Sequence, residues 1–265
     1  MQRKSVHIEE YTISYLEAGK GDPLLFLHAF PFNALMWTAQ LQSLSRHFHV
    51  IALDFPSFGA SSPTPNVLTM DLAALITENL LNHLDIKQTA LAGLSMGGYI
   101  ALACAEHMPQ RISTLILADT HARADTSQKQ QQRHKMVLEL QQQGSDSLIQ
   151  QFPLTILGKT TLQQRKNIIQ QVQEIMKMAS TDTIISAIKG MAMRPNRLAI
   201  LQQFTKPVSI IVGEEDTLTP LADAQEMAKV TPQATLHIIP KGGHLSNMEQ
   251  PALFSNIIQT ILIKK

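Results

Sequence analysis

Apolar and polar positions along the chain switch repeatedly between two periods. Thr12–Leu16 alternates from side to side, as a half-buried strand does, whereas Leu24–His28 and Val50–Leu53 are compact apolar runs of buried-strand length. Between them, Trp37–Arg46 carries its apolar residues at helical spacing. Thr69–Leu84 keeps that spacing over a longer stretch, with Thr69 placed to cap it. Strand-like Ala90–Leu94, helical Gly97–His107 and strand-like Ile112–Ala118 follow, and Pro56, Gly59, Ser61, Ser62, Pro63 and Pro65 mark a loop after Asp54. Such alternation predicts a mainly parallel sheet covered by helices on both faces.

Past Asp119 the strand signal stops. From His121 to Gln203 the chain is rich in Gln, Lys and Arg, and its apolar spacing predicts helices over Ser127–Gln143, Ser145–Phe152, Thr161–Lys177 and Thr181–Met193. The Gln130–Gln132 and Gln141–Gln143 patches lie inside amphipathic runs and read as solvated helix faces. Strand character returns at Val208–Val212 and Leu236–Ile239, with a helix near Leu221–Val230 between them and a helical tail from Glu249. The predicted organisation is an α/β core, residues 1–120 and 204–265, carrying an all-helical cap of about four helices over residues 121–203.

Charge and cysteine content narrow the partners. With 22 basic and 21 acidic residues the net charge is +1, so no bulk charge draws the chain to nucleic acid or an anionic membrane. No stretch approaches the roughly 20 apolar residues of a membrane helix, and Met1–Glu10 lacks the apolar run of a secretory signal. Cys104 is the single cysteine and lies in the apolar run Tyr99–Ala105, where an inert buried thiol is expected. Without an internal disulfide the chain fits a reducing compartment. The expectation is a cytoplasmic monomer or homodimer whose partner is a small molecule.

The chemistry centres on Gly93-Leu94-Ser95-Met96-Gly97-Gly98, a G-x-S-x-G string between a strand and a helix. The turn is tight enough that the flanking positions must lack bulk, and Ser95 at a helix start faces the positive dipole end. A serine nucleophile needs a base, and the base an orienting carboxylate. His244 follows Lys241-Gly242-Gly243 just after a strand, on the sheet edge where the serine turn opens. Asp216, after the strand Val208–Val212, is the expected acid. Asp119 at the previous strand end is its rival, with Glu214 and Glu215 further candidates. The oxyanion would be held by the Met96 N–H and by the N–H of Phe30, in the loop after Leu24–His28, with His28 a scaffold histidine bonding loop backbone. No His/Asp/Glu group has zinc-ligand spacing, so no metal is expected.

On these residues the chain resembles the α/β-hydrolase superfamily over nearly its full length. Leu24–His28 with its loop is similar to that family's H-G-x-P oxyanion region, and Asp54-Phe55-Pro56-Ser57-Phe58-Gly59-Ala60-Ser61 to its D-x-P-G-x-G-x-S loop. Ala29 and Ser57 stand where the family usually has glycine, which would strain the backbone if either needed a positive φ. Gly93–Gly98, Leu117-Ala118-Asp119-Thr120 and Met193-Arg194-Pro195 further resemble the β-ketoadipate enol-lactone hydrolases and related carboxylesterases. The resemblance implies an eight-stranded, mostly parallel sheet with a helical cap, and a serine hydrolase that cleaves a small ester or lactone without a cofactor.

Under such a cap, Phe30, Trp37, Phe152, Met191 and Met193 are candidate lining, and Arg123 and Arg194 could pair with the carboxylate of an acidic lactone. Two alternatives share the scaffold. One is a ligand-capture or signalling module with slow turnover, the other a cofactor-free perhydrolase. A serine at position 95 argues against haloalkane dehalogenase and epoxide hydrolase, which need aspartate there.

Overall fold

The structure, a computed structural model, describes residues 1–64 and 66–263; Pro65, part of the expected loop, and the last two lysines lie outside the described residues. In chain order the elements are β1 (Gln2–Ile8), β2 (Tyr11–Ala18), β3 (Asp22–Leu27), α1 (Thr38–Leu44), β4 (Phe48–Leu53), α2 (Met70–His83), β5 (Thr89–Leu94), α3 (Met96–His107) and β6 (Ile112–Ala118). Then come α4 (Ser127–Gln143), α5 (Asp146–Ile156), α6 (Lys159–Gln164), α7 (Lys166–Met176), α8 (Thr181–Ala192) and α9 (Leu198–Gln203). The chain closes with β7 (Val208–Gly213), α10 (Leu221–Val230), β8 (Ala234–Ile239), α11 (Ser246–Glu249) and α12 (Pro251–Ile263).

The strands form one eight-stranded sheet in the order β1-β2-β4-β3-β5-β6-β7-β8. Only β2 runs against the others, pairing antiparallel with β1 and β4, while β4 through β8 pair in parallel. The apolar runs are continuous because both faces of the central strands are buried. Leu25, Leu27, Ile51, Leu53 and Leu91 enter one core with α2 and α3. Leu24, Phe26, Val50, Ala52, Ala92 and Leu94 enter the other with α1 and α12.

The segment between β6 and β7 divides itself between these cores. Val137 and Leu140 of α4 and Ile184 and Ile188 of α8 join the first, whereas Ile149 and Ile156 of α5 and Ile168 and Val172 of α7 join the second. It thus straddles the sheet edge at which β5, β6 and β7 end. Its longer helices begin on caps legible in the sequence: the Thr126 side chain accepts from Lys129 N, and Ser180 from Thr183 N. On the core side Thr69 does the same for Leu72 N.

The structure departs from the spacing-based expectation in several places, and the insertion holds six helices, α4 to α9, where about four are expected. β1 was not foreseen because it is an edge strand in which only Val6 and Ile8 are buried. Thr161–Lys177 is two helices rather than one. Arg165 leaves helical space at φ −135°, ψ 62°, with its guanidinium donating to the Glu249 carbonyl. The short α9 buries Leu201 alone, too little for a periodic signal. No helix among the described residues is long and apolar enough to cross a membrane.

Candidate active site

The serine turn is built by close approach. Ser95 sits at φ 55°, ψ −114°, a sparsely populated conformation that costs on the order of 1–3 kcal/mol and persists only where its surroundings enforce it. Here the enforcement is visible. A Cβ on Gly93 would come 2.1 Å from Gly97 O, and one on Gly97 would come 2.1 Å from Leu27 O. The Ser95 N–H donates to Ala118 O at 3.0 Å, while Ser95 O accepts from Gly98 N at 2.9 Å and from Thr120 Oγ1 at 2.9 Å. β3, β6 and α3 therefore clamp the turn from three sides.

His244 and Asp216 arrive on the neighbouring loops. Ser95 Oγ lies 2.8 Å from His244 Nε2, and His244 Nδ1 lies 2.8 Å from Asp216 Oδ2. A carboxylate oxygen can only accept, so Nδ1 carries the proton and Nε2 is left to accept from the Ser95 hydroxyl. Asp216 is itself held by the Leu218 N–H at 2.8 Å, the Thr219 N–H at 3.0 Å and the Thr219 hydroxyl at 2.7 Å. Burial disfavours charge on both members. For His244 the Asp216 carboxylate outweighs burial and raises its proton affinity, and for Asp216 the His244 contact outweighs burial and lowers its pKa.

The rival carboxylates are engaged elsewhere. Asp119, fully buried, accepts from Gly213 N at 2.8 Å and from the Ser246 hydroxyl. It ties β6 to the two loops that carry Asp216 and His244, and burial together with the nearby Asp216 charge pushes its carboxyl well up. Glu215 accepts from Thr160 N at 2.8 Å and Thr160 Oγ1 at 2.6 Å, and Glu214 from Lys241 N at 3.1 Å.

Met96 is the first residue of α3, so its N–H has no intrahelical acceptor. The loop bearing Phe30 is adjacent, because Gly97 packs against the Leu27 and His28 carbonyls. His28 braces that loop, with Nδ1 2.9 Å from Ala29 O and Nε2 accepting from Phe55 N at 3.2 Å. Burial lowers its pKa to about 4, which keeps the ring neutral and this bonding pattern intact. Of the two glycine replacements, Ser57 does take a positive φ of 68°, whereas Ala29 is not among the positive-φ residues.

The expected lining needs correction. Phe152 of α5 meets Phe30 edge to face, with ring centroids 5.9 Å apart. Trp37 is not lining: it is fully buried in the α1/α12 core, stacked on Phe26 at 4.4 Å and tilted against Phe254. Arg123 is paired at the surface with Asp223 and Glu226 of α10. Arg194 is buried, bonded to Asp125 at 2.8 Å and to Met191 O at 2.7 Å, and lies 4.0 Å over the Tyr99 ring. Both arginines are thus ion-paired within the protein, Arg194 in the interior and Arg123 at the surface. Met191 is buried in the α2/α3 core, and Met193 is exposed.

One group that motif spacing missed is Glu249, fully buried beneath the His244 loop. Its Oε1 accepts from Gly243 N at 3.0 Å and Leu245 N at 3.2 Å, and its Oε2 from Gly158 N at 2.9 Å. Cys104 is buried, and burial pushes its thiol up. Asp71, Glu106 and His107 bring ligand-type atoms within 4.8 Å of one another on the surface. They sit toward the far end of α3 from Ser95, and Arg197 already donates to both carboxylates.

A family described as alpha/beta hydrolase fold matches residues 22–251. The chain belongs to that family. It is similar to an enzyme named 3-oxoadipate enol-lactonase 2 from Acinetobacter baylyi, 27% identical over 259 residues that cover 96% of this chain and 94% of the relative. Among solved structures it is similar to a thermophilic esterase from Thermogutta terrifontis, 31% identical with a TM-score of 0.95, covering 100% of this chain and 99% of the other. An enol-lactonase from Burkholderia xenovorans LB400 shares the fold at a TM-score of 0.90 and 19% identity, covering 98% of this chain and 100% of the other.

Proposed function

We propose that this member of the family is a serine hydrolase that cleaves a small, uncharged carboxylic ester through Ser95, His244 and Asp216. The observation that carries this reading is the continuous relay from Ser95 Oγ through His244 to Asp216, with both contacts at 2.8 Å. In the first half-reaction His244 Nε2 takes the hydroxyl proton as Oγ attacks the ester carbonyl. Asp216 holds the Nδ1 proton and stabilises the imidazolium that forms. The N–H groups of Met96 and Phe30 receive the oxyanion, and His244 returns its proton to the departing alcohol. Water then attacks the acyl-serine with His244 again as base, releasing the acid and restoring Ser95.

Lactone cleavage is the second reading, favoured by the enol-lactonase relative that spans nearly the whole chain. Arg123 and Arg194 are ion-paired within the protein rather than preset for a ring bearing a carboxylate, so a neutral acyl group is the first case to test. The test is hydrolysis of p-nitrophenyl acetate and butyrate beside a panel of neutral and carboxylate-bearing lactones, by the wild type and by Ser95→Ala. Turnover of the neutral esters that falls at least about 10³-fold in Ser95→Ala is expected. An inert wild type, or activity retained by Ser95→Ala, overturns the reading. Faster turnover of acidic lactones than of neutral esters would replace the ester with the lactone.

A further inference from the structure

We infer that Glu249 is a positioning residue that locks the α5–α6 joint of the helical insertion onto the His244 loop, making the seating of that joint and the aim of His244 at Ser95 one coupled variable. The inference rests on the reading of Ser95 and His244 as the reacting pair. Three observations meet at this point. Oε1 of Glu249 accepts from Gly243 and Leu245, the two residues that flank His244. Oε2 accepts from Gly158, in the two-residue joint between α5 and α6. From the opposite direction, the His244 N–H donates to the carbonyl of Ile156, the last residue of α5, at 2.8 Å.

The two segments are also in direct contact. A Cβ on Gly243 would come 2.1 Å from Gly158 N, and one on Gly158 would come 2.9 Å from Gly243 N. The two backbones approach too closely at this point to admit a side chain between them. Arg165, beyond α6, adds a further tie by donating to the Glu249 carbonyl. The insertion is thus fastened at its α5–α6 side to the histidine, and the hydroxyl–imidazole distance depends on that fastening. A misplacement of about 1 Å between reacting groups can cost about 10²-fold in rate.

Glu249→Gln cuts the bridge with little change of shape. An amide has one acceptor oxygen, which can serve either the flanks of His244 or Gly158, and its NH₂ then faces an N–H donor on the other side. The experiment measures neutral-ester kinetics and amide hydrogen exchange over residues 154–160 and 242–250 in the full chain. For Glu249→Gln, kcat is expected to fall about 10- to 100-fold with KM within about twofold, and exchange is expected to rise in both segments together. An unchanged kcat, or exchange rising in only one segment, overturns the inference.

Should Glu249→Gln not fold, Gly158→Ala decides: its methyl would come 2.7 Å from Glu215 Oε2 and 2.9 Å from Gly243 N, so it presses on the His244 loop as well as on the Glu215 side chain. The same loss of kcat at near-constant KM is expected, and a change in KM alone overturns the coupling. If the wild type shows no esterase activity, the ester reading has failed, and the paired exchange response still decides the mechanical one.

Discussion

The sheet edge and the helical insertion place their side chains by different means. At the edge the backbone does the placing. Ser95 is held in a strained turn by Gly93 and Gly97 and by contacts with β3, β6 and α3. In the insertion and its entry loop, charged side chains are placed by their partners. Arg194 is fixed by Asp125, Met191 O and Tyr99, and Arg133 by the same Asp125. A backbone-built site announces itself as a short string, because only small residues satisfy the turn. A side-chain-built network does not, because any arginine can serve until its partner is known.

The largest effect expected from this contrast is at the edge. Asp216→Asn should preserve the loop, since an amide oxygen can still accept the Leu218 and Thr219 N–H groups. It removes the charge that fixes the His244 tautomer, and a loss in kcat of about 10⁴-fold is expected in ester hydrolysis. The pH profile gives an independent reading. The base must be neutral, and Asp216 outweighs burial to raise its pKa, so the acid limb of kcat/KM should have its midpoint above the ordinary histidine value of 6.5. Activity rises with pH through that limb. In Asp216→Asn burial acts without the compensating charge, and the residual limb should move to lower pH. A limb that stays in place would separate His244 from Asp216 and remove the contrast at its strongest point.

Legibility in the sequence follows the same division. Ser95, His244 and Asp216 could be named because each lies at a strand end in a strand–helix pattern whose order constrains the chemistry. The expectation for Met96 and Phe30 rests on position rather than residue type, because any residue there would present a backbone N–H. Trp37 was misplaced because aromatic character does not tell which face of the sheet a residue joins, and it packs on Phe26. The ion pairs of Arg123 and Arg194 are not legible in the sequence, because their partners, Asp223 and Asp125, carry no pattern that predicts pairing. Glu249 went unread because its role depends on Gly158, ninety-one positions earlier, which only the fold brings near.

A middle-sized effect is expected at Arg194. Its side chain and that of Asp125 are both nearly inaccessible, at 2% exposure each. Removing one partner of a buried pair costs about 3–5 kcal/mol, because the other charge stays in a low dielectric. Asp125 keeps Arg133, so Arg194→Ala should fall at the lower end, about 3 kcal/mol, read as a lower denaturation midpoint. The ratio of activity on neutral and carboxylate-bearing substrates should not change. A drop confined to carboxylate-bearing substrates would return Arg194 to a binding role.

Arg123 gives the smallest effect and the sharpest control. Like Arg194 it belongs to the stretch after β6, and it is likewise ion-paired, to Asp223 and Glu226 of α10. The difference is solvent, since the Arg123 side chain is 44% exposed. Water and salt screen an exposed pair, and freeing the long side chain returns entropy, so Arg123→Ala should cost less than about 1 kcal/mol. Kinetics on neutral and acidic substrates should stay within about twofold of the wild type. Measured beside Arg194→Ala under the same denaturant series, it isolates burial as the cause of the larger loss, because both variants delete a paired guanidinium. Equal losses would mean that Arg123 also packs its stem against α10, and the comparison would then turn on apolar contact rather than charge.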